Sequence, residues 1–415
     1  MITLKNIFLK WKVLIKIVIV LGMAIALNGT FIPKLFDWSS VTSLQQDEKF
    51  MMSDFYNRLA ARRDIKYDSG DIVCIQCESL ERDTISQLIS LLADTNVVNP
   101  AVVGLDMYFA KKQLPETDAR LITSLRSLGD RLVLPISIVN GNDGLFNLQE
   151  LSFKELVEQL PLARRAAVNL PGKLFVNIQR TYRPVFPLEN GDSVASMAGE
   201  LLRVISPDDY DYTVSNPKYA QEFNICYPFL DIRHIPDTLF LEVARQSNLN
   251  EELRELIPDG AAVLVGAFND MNDIYQIPTG ETMSGVMVHA HAVSTMLNHQ
   301  FINLSSNTIN WLIALLFSLM YVSVMLLASA GRFGPAGTGM IRISAGIMIG
   351  LMLILGSYIF VWTSAHPYAV GFDKAMTMLV LTMFVYAMYG VVEWIIISIR
   401  LRIRKNKDSE IIKTK

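Results

Sequence analysis

The sequence predicts an extracytoplasmic α/β domain, a mostly parallel sheet with helices on both faces, joined to four transmembrane α-helices. Three observations predict this. The chain has 415 residues of which 51% are hydrophobic, and its mean hydropathy of +0.31 is too high for an ordinary soluble protein. Four segments supply the ~20 mostly apolar residues that a spanning helix needs: 13–32, 309–330, 343–362 and 375–399. Between the first two, short β-branched runs alternate with stretches of helical apolar spacing, the pattern of a parallel sheet covered on both faces.

Taken in order, residues 1–12 are basic and 13–32 read as an uncleaved anchor. A cleaved signal peptide would suit the lysines, but the apolar run is long and no Ala-x-Ala-like site follows Leu27-Asn28-Gly29. Phe36 to Arg63 reads as a helix with one polar face, placed to pass movement between the domain and the first span. Ile72–Cys77 reads as a buried strand. Ser79–Ala93 carries Ile85, Leu88, Ile89 and Leu92 at helical spacing. Pro100–Phe109 and Arg131–Ile138 read as strands on either side of a helix over Thr117–Leu128. The segment 141–171 holds a Gly-Asn-Asp-Gly turn and then a helix, read as an insertion over the sheet. Lys173–Ile178 is a further strand, and Asp192 or Ser193 caps a helix running to about Val204. Ser206 to Asp209 reads as a turn and Thr238–Glu255 as one helix. Last come a strand over Ala261–Gly266, a polar loop over 267–284 and a helix over Gly285–Asn298. The outer segment, 33–308, is long enough for one α/β domain with its own core.

The formal net charge of −3 conceals an asymmetry. Lys5, Lys10, Lys12 and Lys16 lie at the start without an acid. Arg332 and Arg342 lie between the second and third segments, and the tail 400–415 is basic. The positive-inside rule then places both termini in the cytoplasm and the large domain outside, in a multi-pass arrangement. The basic tail is expected to touch the anionic lipid bilayer. No basic patch with interleaved aromatics points to nucleic acid.

Ligands of a parallel α/β sheet bind beyond the carboxyl ends of its strands. Glu78, Asp106 and the Asn269–Asp273 loop, with Asp270 and Asp273, all fall there, and converging they would form an acidic pocket for a cation, an amine or a sugar. Taken singly, the simpler reading of Asp106 and Asp273 is a helix cap or a loop-amide acceptor. His289 and His291 diverge on a helix, so they read as no metal site, and His289 reads as a donor to a loop carbonyl. Cys74 and Cys77 have the spacing of a metal or redox pair. Within a strand they face opposite sides, which favours a structural role. Gly346 and Gly350 form a Gly-xxx-Gly pair suited to close helix packing. Glu393, in the last apolar segment, is placed about two turns before Arg400, with which it pairs or toward which it snorkels. The Gly331–Gly339 connector lacks the ending of a phosphate loop. Nothing matches a nucleophile elbow, a zinc-protease helix or a nucleotide loop, so neither an enzyme nor a cofactor is expected.

These residues resemble a family. Asp54-Phe-Tyr-Asn-Arg-Leu59, Val102–Phe109 with Thr117–Leu121, and Ala262–Ala267 with Asp273, Pro278-Thr-Gly280 and Gly285–Ala290 resemble the second type of CHASE domain. This is an extracytoplasmic sensory domain of bacterial cyclases and histidine kinases. The resemblance implies a bacterial inner-membrane protein with a periplasmic or extracellular sensory domain. Two departures stand out. Gln76-Cys77-Glu78 replaces the family's Asp-containing strand end, so the acidic role is lost or falls to Glu78. The Asp-Gly turn before the family's middle Arg is missing around Arg183. The chain ends about fifteen residues after its last apolar segment, so no cytoplasmic output domain is expected. The expected function is a sensor subunit that binds a small ligand or an envelope protein and signals to a separate cytoplasmic or membrane partner, with a homodimer among the expected assemblies. The alternative is a structural or assembly subunit of an envelope complex.

Overall fold

Short β-branched runs from both ends of the outer segment come together in one sheet. The structure, a computed structural model, describes residues 15, 17–26, 67–78, 80–170, 178–227, 230–246, 250–304, 307–330, 368–369, 378–389 and scattered positions from 391 to 403. The chain divides into two units, one of 53–303 with 364–367 and one of the remaining residues. Each is described by itself.

In the first unit the strands are β1 (Tyr67–Gln76), β2 (Val102–Asp106), β3 (Leu132–Asn140), β4 (Phe146–Glu150), β5 (Arg164–Ala167), β6 (Thr181–Tyr182), β7 (Val185–Pro187), β8 (Ser193–Ala195), β9 (Phe223–Asn224), β10 (Leu230–Pro236), β11 (Ala262–Gly266), β12 (Ile274–Gln276) and β13 (Thr282–Ser284). The helices are α1 (Arg82–Ala93), α2 (Pro115–Leu128), α3 (Lys154–Glu158), α4 (Met197–Ile205), α5 (Pro207–Ser215), α6 (Asp237–Arg245), α7 (Asn250–Leu256) and α8 (Gly285–Leu297). The main sheet runs β10-β1-β11-β2-β3-β4, with β5 also on β3. Its pairings are parallel except for β4, which runs antiparallel at the edge.

Period-two alternation sorts the side chains to two faces. Val73, Ile75, Val103, Leu105, Val263 and Val265 join the larger core with Ile85, Leu88 and Leu92 of α1, Leu121 and Leu125 of α2 and Phe240 of α6. The intervening Ile72, Cys74, Val102, Ala262 and Leu264 are also fully buried, on the face covered by α4 and α8. A Cβ at Gly104 would lie 2.9 Å from Sδ of Met197 and 3.2 Å from Cδ2 of Leu201. The missing side chain is what lets α4 approach β2. Burial on both faces explains why these strands read as unbroken apolar runs.

Three readings of local structure change. Residues 146–167 form no helical insertion over the sheet. They add β4 and β5 to it, with only the short α3 between. Ser206 opens α5 through Pro207 at its first turn, a position proline tolerates because its missing N–H would be unbonded there anyway. The helix after Asp192 begins only at Met197. Ser196 caps it by accepting from the Gly199 N–H at 3.1 Å, and Ser193–Ala195 are spent in β8. The predicted helix over 36–63 and the strand residues 173–177 lie outside the described residues.

The expectation of four transmembrane helices is corrected. Among the described residues no helix is long and apolar enough to cross a membrane. Apolar composition alone does not make a span, because apolar side chains also bury one another. In the second unit Val20, Ala24, Ala314, Tyr321, Val322, Met325, Met378, Leu381, Val385 and Tyr386 form one cluster of their own. It is drawn from helical residues 17–26, from α9 (Asn307–Ala330) and from 378–386. Val18, Leu312, Leu316, Phe384 and Met388 of the same unit are exposed. The segment 343–362 lies outside the described residues.

Candidate functional site

The carboxyl ends of β1, β11 and β2 lie side by side, with Gln76 opposite Gly266 and Gly266 opposite Asp106. From Gly266 the chain makes a polar loop. Asp270 accepts from the Asn272 N–H at 2.9 Å and so caps the single 3-10 turn Met271–Asp273. The β12–β13 hairpin follows, with Gly280 at its tip in a left-handed conformation, φ 96°. Ser284 then leads into α8.

Two glycines fix how closely the first turn of α8 meets this edge. A Cβ at Gly266 would lie 2.4 Å from Cγ2 of Val286. A Cβ at Gly285 would lie 2.5 Å from both carboxylate oxygens of Asp273. The Gly285 N–H donates to that carboxylate, so Asp273 satisfies one of the orphan donors at the helix start. One turn further on, Nε2 of His289 stands 3.8 Å from Oδ2 of Asp106. The Nδ1 of His289 lies 2.6 Å from Oη of Tyr182, and that hydroxyl also accepts from the Ala198 N–H at 3.2 Å. The other edge of the imidazole bonds the Val168 backbone. One helix turn therefore brings Asp106, Asp273, His289 and Tyr182 together from three remote parts of the sequence.

The electrostatics follow from burial. Only 10% of the Asp106 side chain is exposed, and its Oδ2 has no hydrogen-bond partner. Burial first, and then the Asp273 charge, raise its pKa well above the carboxylate range. Asp273 rises to about 6, through burial and the nearby Asp270, against hydrogen bonds from Tyr275 and Gly285. Burial pushes Tyr182 and Tyr275 up, and lowers His289 to about 3. Near neutral pH the imidazole and both phenols are thus uncharged, and burial makes Asp106 hold its proton more tightly than an exposed carboxyl. Among the described residues no lysine or arginine forms an ion pair with either carboxylate. Such a site can attract a cation or hydrogen-bond a polar ligand.

The profile of the CHASE2 domain matches residues 35–329. The chain belongs to the CHASE2 domain family. That family is one of extracytoplasmic sensory domains. No curated protein and no solved structure matches the chain.

Within this CHASE2 domain the candidates of the sequence separate. Asp106, Asp273 and His289 converge, and Asp270 stands beside them in an exposed turn. Glu78 does not join them. It is exposed at the end of β1, and its N–H bonds Oδ2 of Asp237 at 3.2 Å. Arg183 turns to other contacts, its guanidinium over the rings of Phe146 at 5.4 Å and Phe186 at 5.7 Å. Its neighbour Tyr182, the last residue of β6, takes the place at the site. Cys74, Cys77 and Cys226 are buried thiols outside any disulfide. Gly346, Gly350 and Glu393 lie outside the described residues, and Arg400 is exposed.

Tyr182, Tyr275 and Asp237 are the residues that sequence reasoning missed. Tyr275 lies in the polar loop already singled out. Tyr182 sits one position from Arg183, and a two-residue strand carries no periodic signal. Asp237 follows β10 as the first residue of α6 and is 1% exposed. A strand-end rule applied to that strand finds it, but it fell at the edge of a segment read as one long helix.

Proposed function

We propose that the protein is a sensory receptor subunit whose CHASE2 domain binds a small polar ligand at the Asp106–Asp273 edge of the sheet. The observation that carries this reading is the buried Oδ2 of Asp106, which lacks a hydrogen-bond partner. An unpaired buried polar atom costs about 1–3 kcal/mol, and each one calls for an explanation, a functional role among them. The position supports the same reading, because it lies beyond strand carboxyl ends, where α/β sheets take ligands.

The exposed apolar side chains of the second unit, among them Val18, Leu312, Leu316 and Phe384, support contact with the bilayer. Ligand binding alters the seat of α8 on Asp273, and the change passes to a separate signalling partner. Neither step needs chemistry on the ligand, so the domain acts as a binder and not as an enzyme.

The test is thermal unfolding of the full chain in lipid nanodiscs against a panel of small polar solutes. At least one solute at 100 times its Kd stabilises the domain by about 2.7 kcal/mol, and Asp106→Asn removes that response. A panel with no Asp106-dependent shift overturns the assignment.

A further inference from the structure

We propose that Asp106 and Asp273 together bind the ammonium group of a small organic amine. The inference rests on the sensory reading above and names the ligand class of that same site.

Two carboxylates alone do not make a site. The second, independent observation is Oδ2 of Asp106, an unpartnered oxygen on a side chain only 10% exposed. A donor is what that atom lacks. The neighbours do not supply one. His289 Nε2 is 3.8 Å away, beyond hydrogen-bond reach, and its donor capacity goes to the Val168 backbone. The Tyr182 hydroxyl is held by His289 and the Ala198 N–H. Tyr275 bonds Asp273. Among the described residues nothing supplies that donor, and a ligand can.

Its charge follows from what surrounds it. The titratable and charged groups facing Asp106 are Cys74 of β1, Tyr182, Tyr275, His289 and Asp273, with Asp270 behind Asp273. None is cationic at neutral pH, so a positive charge meets no repulsion and an anion meets two acids. Among the described residues no group of His, Cys, Asp and Glu is placed to hold a metal ion, and a hard divalent cation asks for six or more oxygen ligands. An ammonium asks for fewer. It has three N–H donors, which the two carboxylates and the Tyr275 hydroxyl accept. Asp273, less buried than Asp106 and followed outward by exposed Asn272, Met271 and Asp270, marks the way in.

Ammonium binding favours the ionised pair. Asp273 rises to about 6 in the free site, and an ammonium at its carboxylate holds it ionised. Affinity therefore strengthens as pH rises through that value.

The experiment is isothermal titration of the full chain in nanodiscs with ethanolamine and putrescine, beside ethylene glycol, 1,4-butanediol and calcium chloride. An amine binds, its uncharged diol counterpart does not, and affinity rises from pH 6 to pH 7. Asp106→Asn weakens amine binding by at least about 30-fold, the range for removing one partner of a buried charge pair. Tyr275→Phe, which keeps both carboxylates, weakens it several-fold and serves if Asp106→Asn fails to fold. Equal binding of diol and amine, calcium binding without amine binding, an unchanged affinity in both variants, or no binding by any probe each overturns the ammonium assignment. An Asp106-dependent thermal shift with some other solute leaves the sensory reading standing while this inference fails. The absence of any such shift removes both.

Discussion

Two buried aspartates sit near the carboxyl end of β2, and they differ in what surrounds them. Asp118, on the first turn of α2, is fully served. It pairs with the guanidinium of Arg82 and accepts from the Gln113 N–H at 3.0 Å. Arg82 in turn donates to the Lys111 carbonyl and lies over the rings of Phe109 and Phe153. Asp106 has a neutral imidazole at 3.8 Å and one oxygen with nothing to bond. The first arrangement ties the strand-end loop to α1 and α2, because every polar group in it is satisfied. The second gains nothing for the fold from the acid being an acid. Burial alone does not separate a structural carboxylate from a functional one, but partnership does.

The sharpest way to break that contrast is to remove a partner from the satisfied pair. Asp118→Ala leaves Arg82 buried and uncompensated, and breaking a buried pair this way costs about 3–5 kcal/mol. Urea unfolding of the full chain should show a midpoint lowered accordingly. Asp106→Asn, an isosteric change at the unsatisfied acid, should cost less than about 1 kcal/mol or add stability, since a neutral amide replaces an acid with no partner. Equal losses in the two variants would erase the distinction.

The pH dependence sharpens it next. Asp273 has a folded pKa of about 6 against ~3.9 unfolded. Between those values the folded state holds a proton that the unfolded state has lost. Stability from this group is therefore present below pH ~4 and is lost as pH rises to 6. His289 works the other way. Its folded pKa of about 3 lies below ~6.5 unfolded, so its contribution is full above pH ~6.5 and is lost as pH falls. The two oppose each other between pH 4 and 6. Asp273→Asn removes the Asp273 contribution and leaves those of His289 and Asp106. The wild type should lose about 2 kcal/mol relative to that variant from pH 4 to pH 6, a value reduced for the partial exposure of Asp273. Parallel pH profiles would mean that Asp273 ionises normally. Within the same cluster, Tyr182→Phe strands Nδ1 of His289 and the Ala198 N–H, and should cost about 1–2 kcal/mol in the same urea assay.

Much of this was legible in the sequence, and the failures have physical causes. The strands of the parallel sheet showed themselves because both faces are buried, so Ile72–Ile75, Val102–Leu105 and Ala262–Gly266 are unbroken apolar runs. Asp106 and Asp273 were found by a rule of topology that needs no contacts, that ligands meet strand carboxyl ends. The edge strands were illegible. Four of the five β4 residues are exposed, so no alternation marks them, and the segment passed for a helical insertion. The apolar C-terminal segments read as spans because hydropathy measures composition and is blind to whether an apolar side chain meets lipid or another helix. Tyr182 stayed hidden because its partner His289 is 107 positions away in the chain.

The smallest effect belongs to a residue that sequence placed at the site and the structure does not. Arg183 follows Tyr182, the last residue of β6, and the two side chains take different partners. The tyrosine goes to His289, and the arginine goes to Phe146 and Phe186, the latter in the small cluster with Leu188 and Val194. Its guanidinium is half-buried against those rings, an arrangement worth about 0.5–1 kcal/mol. Arg183→Ala should lower stability by about that amount, and it should leave ligand response and the Asp273 pH profile unchanged. A variant at the adjacent position with so different an outcome is the tightest check on the site, because chain proximity is held constant and only the direction of the side chain changes. Loss of ligand response in Arg183→Ala, with the fold intact, would extend the site past Tyr182 and restore a guanidinium to it.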